Sequence, residues 1–125
     1  MDAELAKKAL KNASLNVKKT KGIILQTDLG SQYTSNIFEE YLAELKILHS
    51  YSRKGCPYDN SCIESFHSIL KKEEVNLKKY KDFKEAYNAI FEFIEAWYNR
   101  ERIHSCLNYK TPDEVHSEDE ESFAA

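Results

Sequence analysis

No apolar run in this 125-residue chain approaches the roughly 20 residues that a helix needs to cross a bilayer. The opening Met1-Asp2-Ala3-Glu4 also lacks the apolar stretch of a secretory signal. A cytoplasmic address and no membrane partner are therefore expected. Cysteine is scarce: Cys56, Cys62 and Cys106. An odd count at irregular spacing argues against a disulfide framework and suits a reducing compartment. There is no Cys-x-x-Cys, and His49, His67, His104 and His116 do not fall at zinc-ligand spacing, so a structural zinc site is not expected. Internal repeats and low-complexity linkers are absent too, which leaves an ordinary folded chain.

The length fits one domain. Hydrophobic residues make up 42% of it and include Tyr 8, Phe 6 and Trp 1, enough for a core with bulk. A net charge of −3 looks wrong for a nucleic-acid binder, but the charge is unevenly spread. The tail from His116 to Ala125 holds Glu118, Asp119, Glu120 and Glu121, and the rest of the chain carries 18 bases against 17 acids. Between Lys46 and Lys81 the balance is eight bases to four acids. A basic surface around an acidic centre is what a phosphate-handling site needs; ordinary solubilising lysines would look the same.

Residues 3–16 carry Leu5, Ala6, Ala9, Leu10 and Ala13 at helical spacing. The short apolar run Gly22–Thr27 reads as a buried strand. Asp28-Leu29-Gly30 then reads as a turn in which Asp28 bonds to its own downstream backbone and Gly30 can take a positive φ. Thr34 or Ser35 can cap the next helix, whose stripe is Phe38, Tyr41, Leu42 and Leu45. Residues 47–52 read as a second strand, with Ile47, His49 and Tyr51 on one face. After a loop through Gly55 and Pro57, Ser61 begins a helix reaching roughly Lys72. Asp82 and Glu85 form a capping box for a long helix to about Arg100, with a seam of Phe83, Tyr87, Ile90, Ile94 and Trp97. Thr111-Pro112-Asp113-Glu114 is a further helix start. The acidic end, 116–125, is expected to be disordered. Two strands make a marginal sheet, a sign that the chain is part of something larger.

Two acids stand out in this layout. Asp28 closes the first strand and Glu64 lies early in a later helix, with 35 residues between them. A carboxylate at a strand end and another on a facing helix can share a divalent metal, a site suited to phosphodiester chemistry. Each has a structural alternative. Asp28 can be a turn residue, and Glu64 can close a capping box with Ser61. His67 and Lys71 follow Glu64 on one helix face and can meet a bound phosphate. Arg53, Lys54 and Lys72 are further candidates for phosphate contact. Arg100 and His104 are expected to fix the chain where the long helix ends, and Trp97 and Tyr98 to belong to the core.

Four ordered segments add specificity. The first is Gln26-Thr27-Asp28-Leu29-Gly30-Ser31-Gln32-Tyr33-Thr34-Ser35. The second is Ser52-Arg53-Lys54-Gly55-Cys56-Pro57-Tyr58-Asp59-Asn60, and the third is Ile63-Glu64-Ser65-Phe66-His67-Ser68-Ile69-Leu70-Lys71. Last come Trp97-Tyr98-Asn99-Arg100-Glu101-Arg102-Ile103-His104-Ser105 and Leu107-Asn108-Tyr109-Lys110-Thr111-Pro112. In this order they resemble the catalytic core of bacterial insertion-element (OrfB-type) transposases, relatives of retroviral integrases, from about Gly22 to Val115. The resemblance implies an α/β, ribonuclease H-like fold. It also implies a D-D-E site in which two aspartates and a glutamate hold two divalent metals, usually magnesium (Mg2+, or Mn2+). The activity implied is strand cleavage and strand transfer on DNA without a covalent protein–DNA intermediate. Asp28 stands in the place of the second aspartate and Glu64 in that of the glutamate, as catalytic and metal-binding residues. The partners implied are insertion-element ends and target DNA.

The sequence also departs from the family pattern. No residue matches the first aspartate: Asp2 precedes a helix rather than ending a strand. The fold's first three strands have no counterpart, Gln26 stands where histidine is frequent, and Cys56 where asparagine is. Residues 1–115 therefore read as a partial, N-terminally truncated core. Asp28 and Glu64 alone would hold magnesium weakly, and the chain is expected to be inactive by itself. A strand left without neighbours invites pairing with another copy, so a homo-oligomer is expected. The alternatives are a non-enzymatic DNA-binding or assembly fragment, and a helical interaction protein using the 82–100 helix.

Overall fold

The computed structural model describes residues 2–124. They form two compact units, divided between Ser65 and Phe66.

In the first unit, α1 (Ala3–Ser14) starts where Asp2 Oδ1 accepts the Leu5 amide at 2.8 Å, an N-cap on an otherwise orphan donor. Strand β1 (Ile24–Thr27) is followed by a short turn of helix, α2 (Ser31–Thr34), and by α3 (Asn36–Glu44). Of the two cap candidates it is Ser35 that serves: its backbone is extended and its Oγ accepts from the Phe38 amide at 3.3 Å. Strand β2 (Leu48–Tyr51) then returns parallel to β1, with Ile24 opposite Leu48 and Thr27 opposite Tyr51. This strand–helix–strand crossover packs its helices on one face of the sheet. There the core is Ala6, Phe38 and Leu42, with Leu10, Leu25, Tyr33 and Ile47 against it. His49 turns to the same face, 5.8 Å from the Phe38 ring, and Leu48 to the other, as the alternation requires.

The expected two-sided burial of β1 is not observed. Ile24 is 67% and Leu48 59% exposed. Among the described residues the sheet has two strands, and only the Phe38–Leu42 side is covered. Gly30 also differs from expectation, with φ −57° and ψ 143°. Glycine suits the position because of crowding: a Cβ there would lie 2.8 Å from Gln32 Nε2 and 2.9 Å from Asp28 Oδ1.

Helix α4 (Ser61–Glu73) follows directly on a 3₁₀ turn, Pro57–Asn60, and runs into the second unit. There α5 (Phe83–Glu92) begins with the expected Asp82 cap, the Glu85 amide lying 2.8 Å from Asp82 Oδ1. The long helix does not continue in α form. Residues Phe93–Tyr98 are π-helical, and the Asn99 amide reaches back five residues to the Ile94 carbonyl at 3.0 Å. The expected apolar seam is also not buried at its start. Phe83 is 83% and Tyr87 59% exposed, and Tyr87 stacks on Phe91 one turn later instead. Trp97, expected in the core, stays exposed, while Tyr98 is half-buried against Phe66 and His104. Arg100 and His104 do fix the end of this element, through Arg100–Asp113 at 3.6 Å and a His104 amide bonded to the Lys110 carbonyl at 3.1 Å.

The acidic end is helical where composition pointed to disorder: α6 spans Pro112–Ala124. Thr111 and Glu114 form a reciprocal capping box, at 3.2 and 3.1 Å. Lys110 holds Glu118 at 2.6 Å, and His116 lies 3.4 Å from Glu120 one turn on. No helix among the described residues is long and apolar enough to cross a membrane.

Leu42 is 1% exposed, so Leu42→Ala should cost about 2–5 kcal/mol, read as a lower urea midpoint. In the second unit, burial and then the Arg102 charge hold His104 below the ordinary imidazole value of 6.5, with Glu73 opposing. The folded state thus prefers the neutral ring, and its contribution is complete above pH 6.5 and declines as the pH falls below it. Melting temperature followed between about pH 8 and 5 should drop on the acid side, and His104→Gln should flatten that drop.

Candidate metal and phosphate site

Asp28 sits one residue beyond β1 and Glu64 in the first turn of α4, and both are exposed. The expected turn at Asp28 is present: its Oδ1 accepts from the Gly30 amide at 2.8 Å. The other oxygen carries no hydrogen bond among the described residues. The capping alternative for Glu64 does not hold. Ser61 is already helical (φ −59°, ψ −35°), whereas an N-cap needs an extended backbone. Glu64 consequently has no protein partner among the described residues, and its carboxylate is available to a ligand.

A polar junction joins the segments that carry these two acids. The Ser52 amide donates to the Thr27 carbonyl at 2.7 Å, extending the β1–β2 ladder by one step. Gln26 Nε2 donates to Ser52 Oγ at 3.0 Å, and that hydroxyl donates to Asn60 Oδ1 at 2.5 Å. Ser52 is buried, where an unpaired hydroxyl would be costly. The end of β1, just before Asp28, is thereby tied to Asn60, just before α4. Nothing in the residue types alone marks Ser52 or Asn60 for this role.

The loop between them is held by Arg53 and Asp59. Asp59 Oδ2 accepts the Arg53 amide at 2.8 Å and its Nε at 3.1 Å, and Oδ1 accepts Nη2 at 3.3 Å. These bonds push the Asp59 carboxyl below its ordinary value and the Arg53 guanidinium above its own. Arg53 therefore spends part of its donor fork on the loop, although its side chain stays 77% exposed. Lys54, His67, Lys71 and Lys72 are all exposed. Asp28, Arg53, Lys54 and Glu64 belong to the first unit, and His67, Lys71 and Lys72 to the second. On α4 itself, Glu64, His67 and Lys71 recur at steps of three and four and so share a helix face.

Asp28 and Glu64 offer hard carboxylate oxygens, the donors magnesium prefers, and that ion is commonly held by one or two carboxylates completed by water and substrate phosphate. The donor chemistry fits. No group of three or more His, Cys, Asp or Glu forms a ready-made metal cage among the described residues. A separate open cleft, lined by Glu74, Lys78, Phe93 and Trp97, includes neither acid.

Comparison with known proteins gives a consistent picture. The family model described as integrase core domain matches residues 45–112, and a second of the same description matches residues 1–57. The transposase for insertion sequence element IS904 of Lactococcus lactis subsp. lactis is 46% identical over 91 residues, 73% of this chain and 36% of that protein. Transposase InsF for insertion sequence IS3A of Escherichia coli is 36% identical over 114 residues, 91% of this chain and 40% of that protein. A Lactococcus lactis protein bearing the name ATP-dependent protease is also similar, at 38% over 113 residues, 89% of this chain and 36% of that protein; no residue described above acquires a role from that name. The chain thus spans little more than a third of the length of these relatives. Among solved structures, the catalytic core domain of BIV integrase aligns with a TM-score of 0.73 at 18% identity, over 99% of this chain and 76% of that one. One family model covers more than half of the chain and the fold agrees, so this chain belongs to the integrase core domain family, with a ribonuclease H-like fold.

Proposed function

We propose that Asp28 and Glu64 are the metal-binding carboxylates of a transposase site that cleaves and joins DNA phosphodiesters. The observation that carries this reading is the Thr27–Ser52–Asn60 junction, which couples the segment before Asp28 to the segment before Glu64. The absence of a cationic partner for either acid among the described residues supports it, since each carboxylate can spend its charge on an ion rather than on a lysine or arginine. When bound, magnesium or manganese would polarise a phosphate oxygen and lower the pKa of a bound water or hydroxyl. The chain's own contribution is to hold the two carboxylates and to receive DNA phosphates on Lys54, Lys71, Lys72, His67 and the outward part of Arg53. Lysine serves here as a point charge. Three free cysteines accord with a reducing, cytoplasmic setting.

As it stands the chain supplies two such carboxylates, so its ion is held weakly, and the 125-residue chain alone leaves DNA intact. A second reading, that it binds DNA or assembles without cleaving, draws on the exposed Ile24–Leu48 pair. A two-stranded sheet with a bare apolar face is unstable in isolation and favours association of copies.

Manganese titrated into the labelled chain should broaden the amide signals around Asp28 and Glu64 together. Asp28→Asn or Glu64→Gln should weaken that binding roughly tenfold or more, at least the cost of losing an outer-shell partner. Broadening at one acid without the other would end the shared-ion reading. Lys71→Ala combined with Lys72→Ala should lower the salt dependence of DNA binding by about two phosphate contacts. An unchanged salt slope would remove those lysines from the interface. Light scattering should find a dimer or larger species, and a monomer at high concentration would contradict assembly through β1.

A further inference from the structure

Behind Asp28 lies a buried polar chain that the metal reading does not use. His49, on β2, has a side chain only 7% exposed, between Glu39 of α3 and Thr27 of β1. Its Nδ1 is 2.7 Å from Glu39 Oε1, and its Nε2 is 2.8 Å from Thr27 Oγ1. Thr27 Oγ1 in turn donates to the backbone carbonyl of Asp28 at 2.9 Å. Glu39 Oε1 also accepts from the Tyr51 hydroxyl. The Phe38 ring, 5.8 Å away, and the Tyr51 ring, 4.0 Å away, flank the imidazole.

A threonine hydroxyl can donate once and accept as well, so Thr27 Oγ1 can serve the Asp28 carbonyl and the imidazole together. Glu39 holds the other side of the ring in a poorly solvated site, where an unmade hydrogen bond would be costly. Holding the Asp28 carbonyl restrains the Asp28–Leu29 peptide plane, next to the Gly30 amide that carries the Asp28 carboxylate.

We propose that Glu39, His49 and Thr27 are positioning residues for Asp28: the part-buried Glu39–His49 contact holds the Thr27 side chain so that its hydroxyl is directed to the Asp28 carbonyl. This deepens the metal-site reading and rests on it for its function, but its geometry can be tested without metal or DNA. Thr27→Val should speed exchange of the Gly30 amide by roughly two- to tenfold, the loss of about one hydrogen bond's net contribution. Thr27→Ser should restore the original rate, and the Ile47 amide, bonded to the Leu42 carbonyl, should exchange as before if the valine variant is folded. Equal Gly30 rates in Thr27→Val and the unaltered chain would overturn the proposal. Should the valine variant fail to fold, His49→Phe, which keeps a ring in the site without its hydrogen bonds, should speed Gly30 exchange in the same way, and an unchanged rate would overturn the proposal. Failure of these exchange measurements leaves manganese binding at Asp28 and Glu64 untouched, so the two readings can fail separately.

Discussion

The first unit depends on how one buried hydroxyl, Ser52 Oγ, is satisfied. It stands at the end of β2, takes a proton from Gln26 and gives one to Asn60, while its amide closes the last step of the parallel ladder at Thr27. An isolated two-stranded parallel sheet has little to hold its register, since its ladder is short and one face is bare. The Ser52 junction supplies a constraint at the end of the sheet where the candidate chemistry lies. From it, β1 leads to Asp28 and the 53–60 loop leads to Glu64.

That loop has its own economy of charge. Asp59 takes both the backbone and the side chain of Arg53, which curls residues 53–59 into a closed turn. The pair is solvent-exposed and adds little to stability, but it decides shape. A closed turn running straight into the 3₁₀ turn and α4 leaves Ser61 helical rather than capping, and so frees Glu64. Arg53, one of the candidates for phosphate contact, is thus the one most committed to structure, while the lysines of α4 have no ion-pair partner among the described residues.

The two units are held differently. The first has a small aromatic and aliphatic core around Phe38 and Leu42. The second relies more on polar fixation. Buried Glu74 accepts from Lys78 and Tyr80, Thr111 and Glu114 close a box, and Arg102 lies over Trp97 and Tyr98 while donating to His104. The π-helical stretch in this unit changes the register of the long helix after Phe93, so that Ile94 and Trp97 no longer continue the face set by Phe83, Tyr87 and Ile90. A period of 3.6 read from the sequence assumes an uninterrupted α-helix, and one wider turn is enough to break the pattern.

Residue order alone determined the elements and the ranking of the acids. Capping residues at 35, 82 and 111 act locally, through bonds to amides three residues away, and were legible for that reason. So were the turn at Asp28, the direction of His49 and Leu48 on β2, and the four motifs that mark the family. Tertiary structure decided the rest. It exposed Ile24 and Leu48, since burial of a strand depends on what packs on each face and not on the strand's own residues. It made the acidic end helical, with Lys110 bonded to Glu118, a pairing that no composition average registers. It also recruited Ser52, Asn60, Thr27, His49 and Glu39, ordinary polar residues at separations of 8 to 26 positions. Hydrogen bonds across such distances exist only once the chain has closed on itself, and therefore leave no periodic trace in sequence.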